Sequence, residues 1–282
     1  MALELEKLQE WVGRKESAVD HITPAAINRL AATLDRDDPM PKIGDPIPIG
    51  WHQLLFPPVV RHSQLGPDGH PKRRDFMPSV PMPRRMLAGR RVTFHGDLCV
   101  GDEVRCESVI KAVSIKQGQT GQMVFVTEMN EFLTVRGLAI TEEHDIVYRQ
   151  VAPGGVPQPP KPAPGNPVWS RIVTPDPVMV FRYSSVTFNG HRIHYDLPYT
   201  TTVEGYPGLV MNGGLTTLLV FELARTHAAT PIRYISARNV RALFVNQPIT
   251  IGGEPSADGK KAKLWALNPE GALALTAEVE FR

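Results

Sequence analysis

Prolines place the strongest constraint on what this chain can fold into. It contains 27 prolines in 282 residues, roughly twice the usual share of about 5 %. Proline lacks a backbone N–H and fixes φ, so it interrupts helices and central strands. Eleven prolines fall within residues 39–90 and seven within residues 151–168. The first stretch has room only for a short helix, around Trp51–Phe56, and the second is predicted to be an extended linker. Both argue against an all-helical bundle.

The composition indicates a folded protein that is neither a nucleic-acid binder nor a membrane protein. Hydrophobic residues make up 42 %, enough for a sizeable core, and the net charge is only +2. No run of about 18 apolar residues is present, and the first residues lack the features of a signal peptide. Two cysteines, Cys99 and Cys106, cannot form a disulfide framework. We expect a soluble cytoplasmic protein without nucleic-acid or membrane partners.

The two sides of the predicted linker repeat each other. Three pairs of motifs match in order at offsets of 150 or 151 residues: Thr-Pro at 23–24 and 174–175, Arg-x-x-Phe at 91–94 and 241–244, and an apolar residue before Gly at 100–101 and 251–252. Thr followed by Pro is a typical helix start, because Thr caps the helix and Pro suits its first position. We infer an internal duplication, with domains at 1–150 and 169–282 joined by the linker 151–168.

Each half is predicted to be a helix followed by an antiparallel meander, which gives an α+β fold in which the halves can share one sheet. Residues rich in Val, Ile, Thr and Phe indicate strands at about 90–98, 102–115, 122–135 and 138–149, then at about 232–244, 247–256, 260–268 and 271–281. Only the second half has a clean helix pattern in its middle, at about 212–227. That helix begins at Asn212-Gly213-Gly214, which leaves backbone N–H groups uncovered.

The densest polar segment, residues 181–196, carries a recognisable motif. Asn189-Gly-His-Arg-Ile-His194 resembles the hydratase-2 motif Asp-x-Asn-Pro-x-His of MaoC-like enoyl-thioester hydratases and dehydratases, and Gly213 matches the glycine of the His-Gly pair that follows it. Asn189 stands where most members have aspartate, and Asn212 where they have histidine. Segments 50–56, 65–71, 81–89 and 142–149 extend the resemblance over nearly the whole chain, to the double hot-dog subgroup of mesaconyl-C4-CoA and itaconyl-CoA hydratases.

The resemblance implies a double hot dog, with antiparallel sheets wrapped on a central helix. The second half would be catalytic, and the first a degenerate hot dog whose Pro-rich middle forms a substrate groove. The implied activity is that of a hydro-lyase that reversibly adds water to an enoyl-CoA. His194 would be the base, the Gly213 N–H the oxyanion donor, and Asn189 the group that orients water. Because an amide cannot act as an acid, His194 would both take the proton from water and return it to Cα.

Six further residues are candidates for substrate binding: Arg84, Arg85, Tyr183, His191, Asp196 and Gly214. The arginines belong to a basic run at 72–91, which either recognises CoA phosphates or a substrate carboxylate or is a solvated loop. Asp196 could instead cap a turn, Tyr183 could be core, and Gly213 could serve tight helix packing. His191 and His194 have no third ligand at a suitable spacing, so no metal is expected. No cofactor is expected either, because coenzyme A is part of the substrate.

The preferred substrate is an enoyl-CoA with a short branched or dicarboxylic acyl group. The alternatives are a 3-hydroxyacyl-thioester dehydratase of fatty acid metabolism, acting on CoA or acyl carrier protein, a hot-dog thioesterase, and a non-catalytic acyl-CoA-binding protein that lost activity through asparagine at position 189. An arginine in the acyl pocket would favour the dicarboxylic substrate. The expected partner is therefore an acyl-CoA, and pairing of two chains into a homodimer is left open.

Overall fold

The computed structural model of the chain describes residues 5–72, 76–82, 84–118, 121–150 and 160–282. Its α-helices in these ranges are α1 (Leu5–Gln9), α2 (Pro24–Thr33), α3 (Pro177–Val186), α4 (Leu197–Thr202) and α5 (Gly213–His227). Its strands are β1 (Lys15–His21), β2 (Arg84–Phe94), β3 (Glu103–Gly118), β4 (Gly121–Thr134), β5 (Gly137–Arg149), β6 (Trp169–Val173), β7 (Ile232–Asn239), β8 (Ile249–Pro255), β9 (Lys261–Leu267) and β10 (Leu273–Phe281). Short 3-10 turns span Trp51–Leu54, His62–Gln64 and Arg192–His194. Among the described helices, none combines the length and the apolar character needed to cross a membrane.

The ten strands form one antiparallel sheet in the order β1-β3-β4-β5-β2-β7-β10-β9-β8-β6. The first five strands in this order come from residues 15–149 and the last five from residues 169–281. The halves join where β2 pairs with β7, from Gly89 opposite Arg238 to Thr93 opposite Tyr234. A Cβ at position 89 would lie 2.8 Å from the Ala237 carbonyl oxygen, so glycine permits this close approach. The predicted α+β arrangement with one shared antiparallel sheet is confirmed.

Helix α5 forms the core of the second half. Its Leu215 and Leu218 side chains are fully buried, and the helix packs against β6 through β10. It begins at Gly213 and ends at His227, within one residue of the predicted range. In the described part of the first half, the Pro-rich stretch offers no α-helix in the equivalent place and forms 3-10 turns instead. The duplicated halves therefore differ in their centres, as the proline distribution predicts.

The Pro-rich stretch is fastened to α5 by a buried carboxylate. Trp51, completely buried in its 3-10 turn, donates through Nε1 to Glu222 Oε1 at 3.1 Å. Arg36 donates through Nη1 to Glu222 Oε2 at 2.6 Å, and Arg225 Nη2 adds a bond of 2.9 Å to the same oxygen. The short helix expected at 51–56 is thus present as the 3-10 turn Trp51–Leu54. Its role is to pack the first half against the central helix of the second.

The helix starts differ between the two halves. Helix α2 begins where predicted, with Thr23 as its cap. Helix α3 is instead capped by Asp176, whose carboxylate accepts a hydrogen bond from a first-turn backbone N–H at 2.7 Å. The predicted start at Thr174 is therefore wrong by two residues. The Pro175 carbonyl accepts a hydrogen bond from the backbone N–H of Asn246, and this bond keeps residues 174–175 in the loop. The Asp-Pro pair that follows then caps the helix in the same way as Thr-Pro caps α2.

The predicted linker is described only in its second part. Residues 151–159 lie outside the described residues, so the boundary between the domains 1–150 and 169–282 stays a prediction. Residues 160–168 contain neither helix nor strand. They run along the second half, because the Lys161 carbonyl accepts from the Leu273 N–H at 2.8 Å and the Val168 N–H donates to Gly253 at 2.9 Å.

Replacement of Glu222 by Ala is expected to lower the free energy of unfolding by about 3 kcal/mol, because it leaves Arg36 and the Trp51 N–H without their buried acceptor. Urea titration followed by Trp fluorescence measures this change. The matched control is Glu280→Ala, which removes a carboxylate bonded to the exposed Lys261 and Arg233 and should change stability much less. Equal effects of the two substitutions would contradict the anchoring role of Glu222.

Candidate active site

A cavity of about 1340 Å³ lies between the two halves. The first half contributes His52 and His70 to its lining, among others, and the second half contributes Asn189 and Gly213. The volume exceeds the 300–1,000 Å³ that is usual for small-molecule pockets. The cavity can therefore take an extended ligand, and such a ligand would touch residues from both halves.

The N-terminus of α5 opens into this cavity without a side-chain cap. Asn212 occupies the cap position, but its side chain makes no capping hydrogen bond. Its Nδ2 donates to Ser184 Oγ at 3.1 Å, while its buried Oδ1 has no hydrogen-bond partner among the described residues. Gly213 and Gly214 line the cavity, and the first N–H groups of the helix carry the positive end of its dipole. This end can stabilise negative charge that develops on a ligand oxygen.

The two glycines at this helix start have different reasons to be glycine. A Cβ at Gly214 would lie 2.4 Å from the Tyr183 hydroxyl oxygen, so packing forbids it. A Cβ at Gly213 would meet nothing closer than Asn239 at 3.8 Å, and its φ is not positive. The alternative that Gly213 serves tight helix packing therefore lacks support. Gly213 lines the cavity, and packing does not require its missing side chain.

His194 is held as a neutral base. Its Nδ1 lies 2.7 Å from the Val210 carbonyl oxygen. Because a carbonyl only accepts, Nδ1 carries the proton and Nε2 keeps its lone pair. Burial lowers the pKa of His194 to about 4, although the bond to Val210 acts in the opposite direction. The residue is 8 % exposed and lies outside the set that lines the cavity, so its access to a ligand is narrow.

Asn189 follows α3 at a sharp reversal of the chain. The preceding residue, Phe188, has a φ of 52°, a conformation that aromatic residues rarely adopt. Asn189 Oδ1 accepts from the backbone N–H of His191 at 3.0 Å. This bond uses the amide oxygen, so the amide NH₂ is the group that Asn189 can offer to a water or a ligand in the cavity it lines.

A loop from the first half covers the histidines of the second. Residues 65–71 form a tight turn in which His70 Nδ1 lies 3.1 Å from Asp68 Oδ2. The His70 ring lies over the His191 ring, with centroids 4.0 Å apart, and the His191 and His194 rings are 5.5 Å apart. Burial, His70 and His194 lower the pKa of His191 to about 3. It is His70, rather than His191, that lines the cavity.

The same loop is bonded to the backbone of the motif segment. The Asp68 carbonyl accepts from the Arg192 N–H at 2.9 Å, and the Pro67 carbonyl accepts from the Arg192 guanidinium at 2.9 Å. Gly69 has a φ of +87°, and a Cβ there would lie 2.0 Å from the Gly190 carbonyl oxygen. Sequence reasoning missed His70 and Asp68, because their place in the site depends on a contact between residues more than 100 positions apart. The segment 65–71 stood out only as part of a resemblance.

A second group lies on the first half of the sheet, and sequence reasoning picked out only its Arg90, as part of the basic run 72–91. We call it the polar belt: it consists of cavity-lining side chains from four neighbouring strands, Arg90, Ser108, Glu128, Asn130, Glu142 and His144. Alternate residues on these strands share a face, and the belt interrupts an otherwise apolar series on that face. The signal that could have found it is this change from apolar to polar at alternate positions in strands β2 to β5.

The polar belt contains a buried ion cluster. Glu142 contacts His52 Nε2 at 3.0 Å, His144 Nε2 at 2.9 Å and Arg90 Nη1 at 3.3 Å. Burial alone would raise the pKa of Glu142, but His144, Arg90 and His52 outweigh it and hold the pKa well below its usual range. Arg90 Nε and Nη1 are buried without a hydrogen-bond acceptor among the described residues. The cavity is the place from which an acceptor can come.

The remaining predicted binding residues divide into three groups. Arg85, Tyr183 and Gly214 line the cavity, and burial raises the pKa of Tyr183 to about 12, so its hydroxyl stays protonated. The Arg84 side chain lies outside the described residues. Asp196 is not among the lining residues; it caps α4, accepting from the third residue of the helix at 3.0 Å. Its contacts therefore favour the turn-capping alternative over substrate binding.

The structure corrects the argument that His191 has no additional ligand nearby. Asp68, His70 and His191 each place one potential ligand atom so that the three atoms lie within 4.8 Å of one another. Sequence spacing could not show this, because Asp68 and His70 come from the other half. In the present geometry His70 Nδ1 is already paired with Asp68, so a metal would have to displace that hydrogen bond.

Sequence comparison gives relatives that match over most of the chain. A family model described as hydroxyacyl-thioester dehydratase type 2 matches residues 50–245. The mesaconyl-C(4)-CoA hydratase of Chloroflexus aurantiacus is 43 % identical over 272 residues, which cover 96 % of each chain. The mitochondrial hydroxyacyl-thioester dehydratase type 2 of Schizosaccharomyces pombe is 27 % identical over 263 residues, covering 82 % of this chain and 87 % of that protein.

Solved structures show the same architecture. A MaoC-like dehydratase from Phytophthora capsici aligns over 99 % of both chains with a TM-score of 0.73 at 13 % identity. Rv0216 from Mycobacterium tuberculosis, described as a double hot dog, aligns over 96 % of both chains with a TM-score of 0.50 at 11 % identity. At these identities the likeness concerns the fold alone, and it confirms the double hot dog.

Replacement of Gly213 by Ala is expected to leave the melting temperature nearly unchanged, because a Cβ has room there, and to lower turnover at least tenfold by crowding the N–H. Gly214→Ala is the matched comparison and should lower the melting temperature, because its Cβ collides with Tyr183. Thermal melting and enoyl-CoA turnover of both variants measure these effects. Because alanine keeps the backbone N–H, unchanged turnover in Gly213→Ala would contradict the inference that the space beside this N–H must stay open to the ligand.

Acid should destabilise the protein through its buried histidines. Between about pH 6.5 and pH 4 the unfolded chain protonates His194 and the folded chain does not, so stability falls as the pH falls. By pH 5 this residue should account for about 2 kcal/mol of the loss, and His191 acts in the same direction. Urea titrations at pH 7.5, 6 and 5 should show a shallower decline in His194→Gln. The exposed His21→Gln is the control; an equal slope in all three proteins would contradict the buried neutral state.

Proposed function

Because the chain belongs to the type 2 hydroxyacyl-thioester dehydratase family, we propose that it reversibly adds water to the double bond of an enoyl-CoA whose short acyl group carries a polar end, such as a second carboxylate. The observation that carries this proposal is the polar belt, which lines the same cavity as Gly213 and Asn189. The 43 % identity to a mesaconyl-C(4)-CoA hydratase supports it. It also makes a hydro-lyase, rather than a thioesterase or an inactive binding protein, the activity to test.

The reaction needs a base, a held water and a site for negative charge. His194 Nε2, the ring nitrogen left free by the bond to Val210, accepts a proton from water as the water oxygen bonds to Cβ. The Asn189 NH₂ group holds that water at the cavity wall. Negative charge moves to the thioester oxygen, where the Gly213 N–H and the dipole of α5 stabilise it. Protonation of Cα then completes the addition.

The polar belt favours a polar acyl group over an alkyl chain. A long alkyl chain laid against Arg90 would leave its buried Nε without an acceptor, which is costly in a site removed from water. A carboxylate or hydroxyl on the acyl group supplies that acceptor, and guanidinium suits carboxylate geometry. Glu142 pairs with Arg90, so the buried charges of the belt compensate each other.

The second candidate is dehydration of a 3-hydroxyacyl thioester of fatty acid metabolism. The family model and the Schizosaccharomyces pombe relative favour it, since both are described by that activity. The chemistry is the same reaction in reverse, so the two candidates differ in the acyl group rather than in His194 or Gly213. A homodimer and a cytoplasmic location stay expectations that accompany either candidate.

A panel of enoyl-CoA esters tests the proposal. Crotonyl-, mesaconyl-C4-, itaconyl- and long-chain enoyl-CoA are followed by loss of enoyl absorbance, with mass spectrometry to detect the added water. The proposal expects the dicarboxylic esters to react with the highest kcat/KM. Highest kcat/KM with the long-chain ester would support the second candidate. Release of free CoA without hydration, or binding without any reaction, would contradict both candidate functions.

Arg90→Lys should lower the ratio of kcat/KM for the best dicarboxylic ester to that for crotonyl-CoA at least tenfold, because lysine keeps the charge beside Glu142 but loses the planar donor fork. Arg91→Lys is the matched control: the neighbouring arginine pairs with Glu143 and Asp145 and does not line the cavity. Steady-state kinetics on both esters give the ratio. An unchanged ratio in Arg90→Lys would show that Arg90 of the belt does not contribute to recognition of the polar end of the acyl group.

A further inference from the structure

The motif segment leaves the proton that must reach Cα without a dedicated donor. Asn189 cannot act as an acid. Burial raises the pKa of the Tyr183 hydroxyl to about 12, so it is a poor acid near neutral pH. His194 is neutral, with its Nδ1 proton committed to Val210. Within the motif segment, the proton that can reach Cα is the one that His194 Nε2 takes from water, so a separate acid must come from another part of the cavity lining.

His70 is placed to supply it. Its ring lines the cavity together with Asn189 and Gly213. Asp68 Oδ2 lies 3.1 Å from its Nδ1, and Asp68 Oδ1 accepts from the His70 backbone N–H at 3.1 Å. Since Nδ1 faces the carboxylate, Nε2 on the other side of the ring is the nitrogen left for a ligand. The arrangement is that of a histidine oriented by a carboxylate, in which the carboxylate supports a positive charge on the ring.

The turn that carries His70 is held in place by hydrogen bonds and by contact with the second half. The turn around it is closed by the Gly66 N–H, which donates to the His70 carbonyl at 2.7 Å. The turn is bonded to Arg192 of the second half and touches the Gly190 backbone. Burial would raise the pKa of Asp68, but the hydrogen bonds from His70 and the electrostatic influence of His70 and His191 lower it to about 2. Asp68 therefore remains a carboxylate throughout the neutral range.

We propose that His70 is a catalytic acid–base residue of this site and that Asp68 is its positioning residue; the proposal rests on the hydratase function above. As the water oxygen bonds to Cβ, its proton passes to His194, and the C=C electrons move toward the thioester oxygen. The resulting enolate then takes the Nε2 proton of the His70 imidazolium at Cα, and the thioester carbonyl re-forms. The proton on His194 returns to His70 before the next turnover, so no proton is gained or lost overall.

The test uses His70→Ala and His70→Gln in the full-length protein, with His21→Gln as an exposed control. Both His70 variants should lose at least a hundredfold in kcat on the best enoyl-CoA while KM changes less than threefold. Added imidazole, which fits the space vacated in His70→Ala, should restore at least tenfold of the lost turnover. Asp68→Asn should show an intermediate loss and Asp68→Glu a partial recovery.

The outcomes separate this proposal from the one on which it rests. If the wild type hydrates none of the esters, the proposed function itself fails. If the wild type is active and His70→Gln keeps turnover within threefold, the role of His70 is overturned and the hydratase function stands. A loss that imidazole does not rescue and that parallels a lower melting temperature assigns His70 a structural role and overturns the proposal. Activity that EDTA abolishes and Zn²⁺ restores would overturn it in favour of a metal on Asp68, His70 and His191.

Discussion

The pairing of β2 with β7 is the interaction on which the rest of the structure depends. It extends over only five residue pairs, from Gly89 to Thr93, yet it turns two five-stranded sheets into one. Because the sheets are continuous, the inner face of the first half and the start of α5 in the second half line one cavity. The proposed acid His70 and the polar belt come from the first half, whereas His194, Asn189 and Gly213 come from the second. The backbone contact at Gly89 thus determines whether a site exists at all.

The two halves share one architecture but differ in what lies on the inner face of the sheet. In the second half, α5 fills the inside of the sheet with Leu215, Leu218 and other apolar side chains. In the first half the corresponding face carries the polar belt, which separates the core around Trp51 and Phe132 from a smaller apolar cluster around Val126. A continuous apolar face would favour collapse of the cavity, whereas paired charges keep the face hydratable. The first half therefore carries the cavity-lining polar belt on the face where the second half carries α5.

Sequence reasoning succeeded where local chemistry decides the structure. The cap at Thr23, the start of α5 at Gly213 and the strand meanders follow from capping, helix termini and alternating residues. It failed by two residues at Thr174, because a neighbouring Asp-Pro pair offers an equivalent cap. It did not find the Asp68–His70 pair or the residues that surround Arg90 in the belt, since both groups arise from contacts between distant segments. Those contacts depend on strand register and loop docking, which spacing along one chain does not contain.

The position of the polar belt has a consequence for how this scaffold diversifies. Its residues sit on strands β2 to β5, whose backbones are paired on both sides, rather than on a mobile loop. A substitution there can alter the shape and charge that the cavity would offer to an acyl group without moving the proposed oxyanion donor or the motif histidine. The backbone of such a sheet stays fixed while its side chains are exchanged. Successive single substitutions, each leaving the reaction intact, would be enough for descendants of this chain to move from one acyl group to the next.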